Sequence, residues 1–508
     1  MKKINLLLFL TIIISLNGFS QCPDTWAIRA GSDSREIARK IVTDNNGNIY
    51  IAGYFEDHTL LDTIELNGYG NNMFLAKYDA TGNIQWAQYG GGDYVGAEGL
   101  AIGANNNIYV TGFFRDTAYF GSSTITSSGL SDVFLANYSP EGDLLWIVTI
   151  GGIGQDGAYG VTTDEDGNTY VSTHNSLSKY NTHGTPIWVR QFDGMGMIKI
   201  HSDYNGYLNI MSTFSGTIDL GSITLTSRGW WDILVAKLDT TGNVVWAKQV
   251  KGGNNYDTWG EDITTDRDGN MFVTGRFQDT VFFETDTLIG VLDIFIAKYN
   301  AAGDLLWVKQ SQGNTWGLGR GITTDIEGNA YITGEYNGSP YFDSIILPET
   351  YSGFVIKYNA SGSIEWVEKL VRGDNDITSS INGDILVAGT FIDTSAFGTT
   401  ELISAGNSDI FIWNVCKASS TNIEENPLIV SNYKIHPNPV INKLYIVHAD
   451  VKENLNVKIY NALGQVVHAA AVQDSNGRYM VDMDNYPKGL YVIQLLDKTG
   501  LNAFKIIK

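Results

Sequence analysis

The side chains able to do chemistry in this 508-residue chain are unevenly supplied: there are 55 carboxylates, seven histidines and two cysteines. His58, His174, His183 and His201 fall before residue 418, and none stands in an H-E-x-x-H or other metal spacing. No G-x-S-x-G elbow presents a nucleophilic serine. Carboxylates are too frequent for any single pair to mark general acid–base chemistry. Asp164-Glu165-Asp166-Gly167 and Asp266-Arg267-Asp268-Gly269 suggest a calcium loop, which needs more oxygen ligands over a longer stretch. The same slot elsewhere holds Ala104-Asn105-Asn106 and Ser380-Ile381-Asn382, so these stretches read as turns, with no metal or other cofactor expected.

A set suited to binding recurs at equivalent positions of a repeat: Arg39, Glu98, Tyr159, Ile198, Glu261, Arg320 and Asn375. Tyr94, Trp259 and Trp316 lie just before three of them. Aromatic faces beside carboxylates and arginines suit a sugar or a peptide. The plainer alternative is that the rings wedge between repeats while the charges pair with one another. The expected ligand-binding residues are therefore Arg39, Tyr94, Glu98, Tyr159, Trp259, Glu261, Trp316 and Arg320, with no catalytic residue assigned. The competing function is a secreted polysaccharide hydrolase or lyase that uses acids such as Glu98 and Glu261.

The elements that carry these residues repeat seven times. Trp26, Trp86, Trp146, Trp188, Trp246, Trp307 and Trp366 are 60, 60, 42, 58, 61 and 59 residues apart. A G-N-x-aromatic turn precedes each apolar run, at Asn48, Asn107, Asn168, Tyr207, Asn270, Asn329 and Asp384. A period of this length, made of strands and turns, predicts an all-β, seven-bladed β-propeller. In the fifth repeat, strand a is Gly260 to Thr265, b is Met271 to Gly275, c is Ile294 to Tyr299 and d is Asp304 to Lys309. Thr280 to Asp293 is a spacer between b and c. The strand-d tryptophans are expected in the core, so that Trp246→Ala leaves a cavity, whereas Trp259 and Trp316 sit on d-to-a crossings. The third repeat passes almost directly through His174-Asn175-Ser176 and lacks the spacer, which predicts a notch in that rim.

The seventh repeat has strands a to c and no d. Thr25-Trp26-Ala27-Ile28-Arg29-Ala30-Gly31 matches Gln85 to Gly91, so the N-terminal strand completes the last blade and closes the ring. Alignment puts Cys416 at the place of Asn300 and Cys22 at that of Gly303, the two ends of one tight turn. A Cys22–Cys416 disulfide would replace that turn covalently; two buried free thiols are the alternative.

Lys2-Lys3 followed by Leu6 to Ile14 reads as a signal peptide over residues 1–21. Cys22 raises a lipoprotein reading, against which Gln21 is a poor preceding residue. The formal charge is −22, and residues 22–426 carry −27 of it against +3 on residues 427–508. Such a body repels nucleic acid and anionic lipid, and no stretch is long enough to span a membrane. The expected division is a signal peptide at 1–21, the propeller at 22–418, a linker at 419–431 and a small β-sandwich from 432 to 508.

The repeat G-N-x-Y-[IV]-[TA]-G…D-x-F-[LI]-A-K-Y resembles the bacterial beta-propeller repeat family called SBBP over about residues 26–418. That resemblance implies the fold and no single activity. Thr163 to Tyr170 loosely resembles the Asp-box of sialidases, but Glu165 stands where the aspartate belongs. The tail is similar to the C-terminal sorting domain of type IX secretion cargo from Bacteroidetes. The matching residues are Pro437, Asn438 and Pro439, Gly464 in the Asn461 to Gln465 turn, Gly489 and Tyr491, and the terminal Lys505 and Lys508. The resemblance implies the type IX machinery as partner, passage across the outer membrane, removal of the tail, and release or attachment at the cell surface.

Overall fold

A computed structural model of the chain describes residues 26–253, 258–313, 316–343, 345–348, 350–373 and 375–416, and in the tail 433–436, 442–448, 456–461, 466–468, 472–473, 479–484, 486–488, 490–497 and 500–508. The expected signal peptide, the linker and Cys22 lie outside the described residues, as do Pro437, Asn438, Pro439, Gly464 and Gly489 of the tail. Among the described residues all regular structure is β-strand, and no helix is long and apolar enough to cross a membrane. The chain divides into two compact units, residues 1–419 and 420–508.

In the first unit the repeat folds as an antiparallel four-stranded sheet. The fifth repeat shows the pattern: Thr258–Thr265 pairs with Met271–Phe283, which pairs with Asp286–Tyr299, which pairs with Leu305–Gln310. The Asp266 carboxylate closes the first hairpin by accepting from the amides of Asp268 and Asn270 and from the Asn270 side chain. Such a side-chain turn suits Asp and Asn, whose short polar groups mimic the backbone. The Lys298 ammonium lies 3.3 Å from the same carboxylate and 4.6 Å from the centre of the Phe272 ring. Asp164 is bound in the same way by Asn168, Tyr170 and Lys179. The repeating acids are thus engaged by their own turns.

The motif glycine within the second strand has a steric reason. A Cβ on Gly275 would sit 2.0 Å from the Trp259 carbonyl oxygen. The first strand bulges opposite it, and the register shifts between Gly260 and Asp262. Equivalent shifts fall between Ala38 and Lys40, Ala97 and Gly99, Ala158 and Gly160, Met195 and Ile198, and Gly319 and Gly321. A bulge leaves one residue unpaired and re-aims its side chain. Arg39, Glu98, Tyr159, Glu261 and Arg320 are those residues.

Neighbouring units are clasped by the fourth-strand tryptophans. Trp246 rests on Gly303 of the next unit, where a Cβ would lie 2.7 Å from the ring, and its Nε1 donates to the Ala301 carbonyl at 3.2 Å. Gly303 has φ +88°, so glycine suits both the turn and the contact. Trp86 on Gly142, Trp146 on Gly184 and Trp307 on Gly362 repeat the arrangement, and Trp26 rests on Gly82 of the first unit. These rings are half-buried clasps. The expectation that Trp246 fills the core is corrected: the fully buried large side chains lie on the middle strands, Tyr50, Phe74, Tyr109 and Trp413 among them.

Other differences concern the rim. The Thr280 to Asp293 spacer is paired strand, with Val281 opposite Leu288. Trp259 and Trp316 are strand residues opposite Arg276 and Asn337, and Tyr94 belongs to one long strand, Ile84–Ile102, that serves two units. The third unit joins Thr169–Thr173 to Ser176–Tyr180 by two residues only, whereas the fourth and seventh add hairpins such as Thr217–Asp219 with Thr224–Thr226 and Thr394–Phe397 with Thr400–Ile403. The last sheet is completed by Trp26–Ala30, which pairs with Asp409–Cys416. The first strands contact one another in order, and Glu36–Thr43 also meets Asp376–Ser379.

The tail consists of two four-stranded sheets around Leu444, Ile446, Val457, Ile459, Val481, Ile493, Leu495 and Ile506. The Tyr491 hydroxyl donates to the Pro487 carbonyl at 2.8 Å, the Lys508 ammonium donates to the Met483 carbonyl, and Lys505 lies opposite Val492 in the closing strand pair.

Candidate functional site

The bulges re-aim charged side chains, and their neighbours decide their state. Arg39 Nε lies 3.7 Å from Glu98 Oε1, with its guanidinium over the Tyr54 ring at 5.6 Å. Glu261 is 3.7 Å from Arg276, which also covers the Trp259 ring at 5.8 Å. Trp259 packs against Trp231 with the centroids 6.2 Å apart. Tyr94 is 39% exposed and sits against Phe113 and Arg115. Tyr159 lines a small cavity, and burial, then the Glu98 charge, push its phenol above the ordinary range. The eight expected binding residues are thus dispersed. Glu98 and Glu261, the acids considered for hydrolysis, face arginines.

Among the described residues, Trp316 and Arg320 share a large concavity, a cleft of about 930 Å³ between the sixth and seventh units. A cavity of this size suits a drug-sized or oligomeric ligand. One wall is aromatic: Trp316 and Tyr351 meet edge to face at 6.0 Å. The Arg372 guanidinium stacks on Tyr351 at 3.8 Å. Glu335 is buried beneath them, 2.7 Å from Arg320, 3.9 Å from Arg372 and 3.4 Å from the Tyr351 hydroxyl, which donates to it. Glu368 faces the same space, and burial pushes its carboxyl above the usual range. The opposite wall is Phe391 and the 60%-exposed Ile392. A flat aromatic face, fixed guanidinium donors and a buried acceptor can hold a planar or hydroxylated ligand in one orientation.

The sequence reading missed Tyr351, Glu335, Arg372 and Glu368. A signal was available. Opposite an aromatic residue of the second strand, the third strand carries a buried acid at Asp132, Asp232, Asp293 and Asp409, but Ser352 in the sixth unit. Asp232 binds the amides of Arg228 and Gly252, and Asp409 binds the amide of Ala405 and Arg29. These bonds draw the rim onto the fourth strand. Ser352 reaches only the Leu370 carbonyl, which leaves the crossing at Val371 to Gly373 beside an open space.

Comparison with known proteins adds to this geometry. Residues 434–508 match the family described as secretion system C-terminal sorting domain. Residues 245–276 and 306–342 match the beta-propeller repeat family, SBBP. An uncharacterized WD repeat-containing protein of Acanthamoeba polyphaga mimivirus is 28% identical over 380 residues, which is 63% of this chain and 26% of that protein. The chain thus spans about a quarter of the length of that relative. Among solved structures, a protein of unknown function from Bacteroides caccae superposes with a TM-score of 0.33 at 12% identity, covering 59% of this chain and 90% of that one. The Pan2 WD40 domain of Neurospora crassa gives 0.35 at 11% identity, covering 63% and 89%. Neither superposition is close enough to transfer a ligand or a role. The chain carries SBBP propeller repeats and a type IX sorting domain, and it is exported by that route to the outer membrane and the cell surface or the extracellular space.

Proposed function

We propose that this exported chain is a non-catalytic binding module: a seven-bladed propeller, closed by its N-terminal strand, that takes a glycan or a peptide in the cleft at Trp316 and Tyr351. The aromatic wall with Arg320, Glu335 and Arg372 around it carries the reading. Ring closure is supported by the pairing of Trp26–Ala30 with Asp409–Cys416 and by Trp26 repeating on Gly82 the clasp seen between other units. The Cys22–Cys416 bond fits the same reading, since Gly303 and Asn300 end a hydrogen-bonded turn whose span suits a disulfide. In this reading residues 22–418 bind, residues 419–431 link, and residues 432–508 engage the type IX machinery.

The test is a glycan and peptide binding panel on the purified protein, run beside hydrolysis assays on the same ligands. Trp316→Ala and Tyr351→Ala should each weaken binding by ~1–3 kcal/mol, as for loss of an aromatic anchor. Retained affinity in both variants removes the cleft as the site. One observation favours a second reading, a polysaccharide hydrolase or lyase: Glu368, its carboxyl raised by burial, shares the cleft with the arginine-bound Glu335. A pair of carboxylic acids flanking one space is what such chemistry needs. Release of shorter sugars, abolished by Glu368→Gln, would establish it.

A further inference from the structure

The first-strand residues that pair with the residue just before the motif-glycine position of the second strand form one tier: Lys40, Gly99, Gly160, Lys199, Asp262, Gly321 and, in the last unit, Asp376. All but Gly321 line a cavity of about 160 Å³. At about 30 Å³ for each water of the liquid, this has room for roughly five waters or one small ligand. The cavity is charged but balanced in sign, with two ammonium groups and two carboxylates.

Only one pair is joined. Asp376 Oδ1 accepts from the Lys40 ammonium at 2.9 Å, and its Oδ2 accepts from the Ile41 amide at 2.9 Å. The acid therefore reaches forward into the following unit and finds its cation there. Asp262 reaches forward in the same way, with Oδ2 accepting from the Ile322 amide at 3.0 Å. The following unit offers Gly321 at that place, so Asp262 makes no ion pair there, although its charge acts across the cavity on Lys40 and Lys199. Lys199 stands in the unit before Asp262, on the side from which the carboxylate is drawn away. The unit before Lys199 offers Gly160, so no acid reaches forward to it either. Among the described residues Lys199 makes no ion pair or hydrogen bond, and none binds Asp262 Oδ1. The order acid-then-cation closes a pair across a unit boundary; the order cation-then-acid leaves both open.

The other groups facing this space do not neutralise them. His201 Nδ1 lies 3.2 Å from Thr265 Oγ1, and burial lowers its ring below the ordinary histidine value, so it is neutral near pH 7. Tyr159 keeps its proton. Glu98 and Glu261 face Arg39 and Arg276. Burial, and then the Lys40 charge, pull the Lys199 ammonium down from its usual range, so a bound anion there would be stabilising.

We propose that the cavity binds a small α-zwitterion, an amino acid, with its carboxylate on Lys199 and its ammonium on Asp262 Oδ1. The ligand would supply both missing partners at once, which a simple anion or cation cannot do. Calorimetric titration of the full chain with free glycine, acetate and methylammonium tests this. Glycine should bind, and each one-charge probe should bind at least about tenfold more weakly. Lys199→Met and Asp262→Asn should each weaken glycine binding by about tenfold or more. Asp262→Asn keeps an acceptor for the Ile322 amide, so it decides the matter if Lys199→Met fails to fold. No binding of glycine, acetate binding as tightly, or unchanged affinity in the folded variants would each overturn the assignment. The cleft variants at Trp316 and Tyr351 should leave glycine binding unaltered.

Discussion

Asp293 is a buried acid with too few donors, and its replacement by asparagine should stabilise the protein at neutral and alkaline pH. It is 2% exposed, and among the described residues its one hydrogen bond is from the Ser311 hydroxyl at 3.5 Å. Asp232, at the equivalent place in the fourth unit, accepts from two backbone amides and from Gln249. Burial pushes the Asp293 carboxyl up to about 7, far above the ordinary aspartate range. The raised value means that the folded chain holds a proton which the unfolded chain has released. Stability from this site is therefore greatest below the unfolded value, near pH 4. It falls as pH rises toward 7 and is fully lost above. A tenfold change in proton affinity is worth about 1.36 kcal/mol, and the thousandfold change between ~4 and ~7 sets a ceiling of ~4 kcal/mol. Water entry and relaxation bring the expected value nearer ~2 kcal/mol. Asp293→Asn removes the charge with little change of volume. Its melting temperature should exceed that of the parent at pH 8 by a few degrees, with the gap closing by pH 4 to 5. The assay is calorimetric melting of both proteins across pH 4–9. A gap that is absent at pH 8, or equal at all pH values, would refute the reasoning.

Trp246→Ala should cost only ~1–2 kcal/mol, since the half-buried ring on Gly303 loses one clasp without opening a closed cavity; chemical denaturation measures it, and a loss above ~4 kcal/mol would restore the core reading. Gly275→Ala should instead prevent folding or cost several kcal/mol, because its Cβ would overlap the Trp259 carbonyl; soluble yield and melting report it. Non-reducing peptide mapping of the exported protein should recover Cys22 linked to Cys416, and two alkylatable thiols would refute the bond. A truncation after Ser420 should fold and remain in the periplasm; its appearance at the surface in normal amounts would count against the role of the tail.

The repeat itself was legible because its signals are local. The G-N turn, the motif glycine and the A-K-Y strand each act within one hairpin, so spacing alone gave the strands, their order and the pairing of Trp26–Ala30 with the last unit. The sorting tail was legible for the same reason, through short motifs in fixed order. The binding surface was less so. Counting along the first strands found Arg39, Glu98, Tyr159, Glu261 and Arg320, the bulged residues, but not that arginines would face the acids. Tyr351, Glu335 and Arg372 come together with Trp316 only when three strands and a crossing of the sixth unit meet. The tier at Lys40, Lys199, Asp262 and Asp376 spans more than 330 residues and has no local signature. Local hydrogen bonds and sterics are written in adjacent residues, whereas which charges meet across a ring is fixed by the direction each side chain leans and by what the next unit offers.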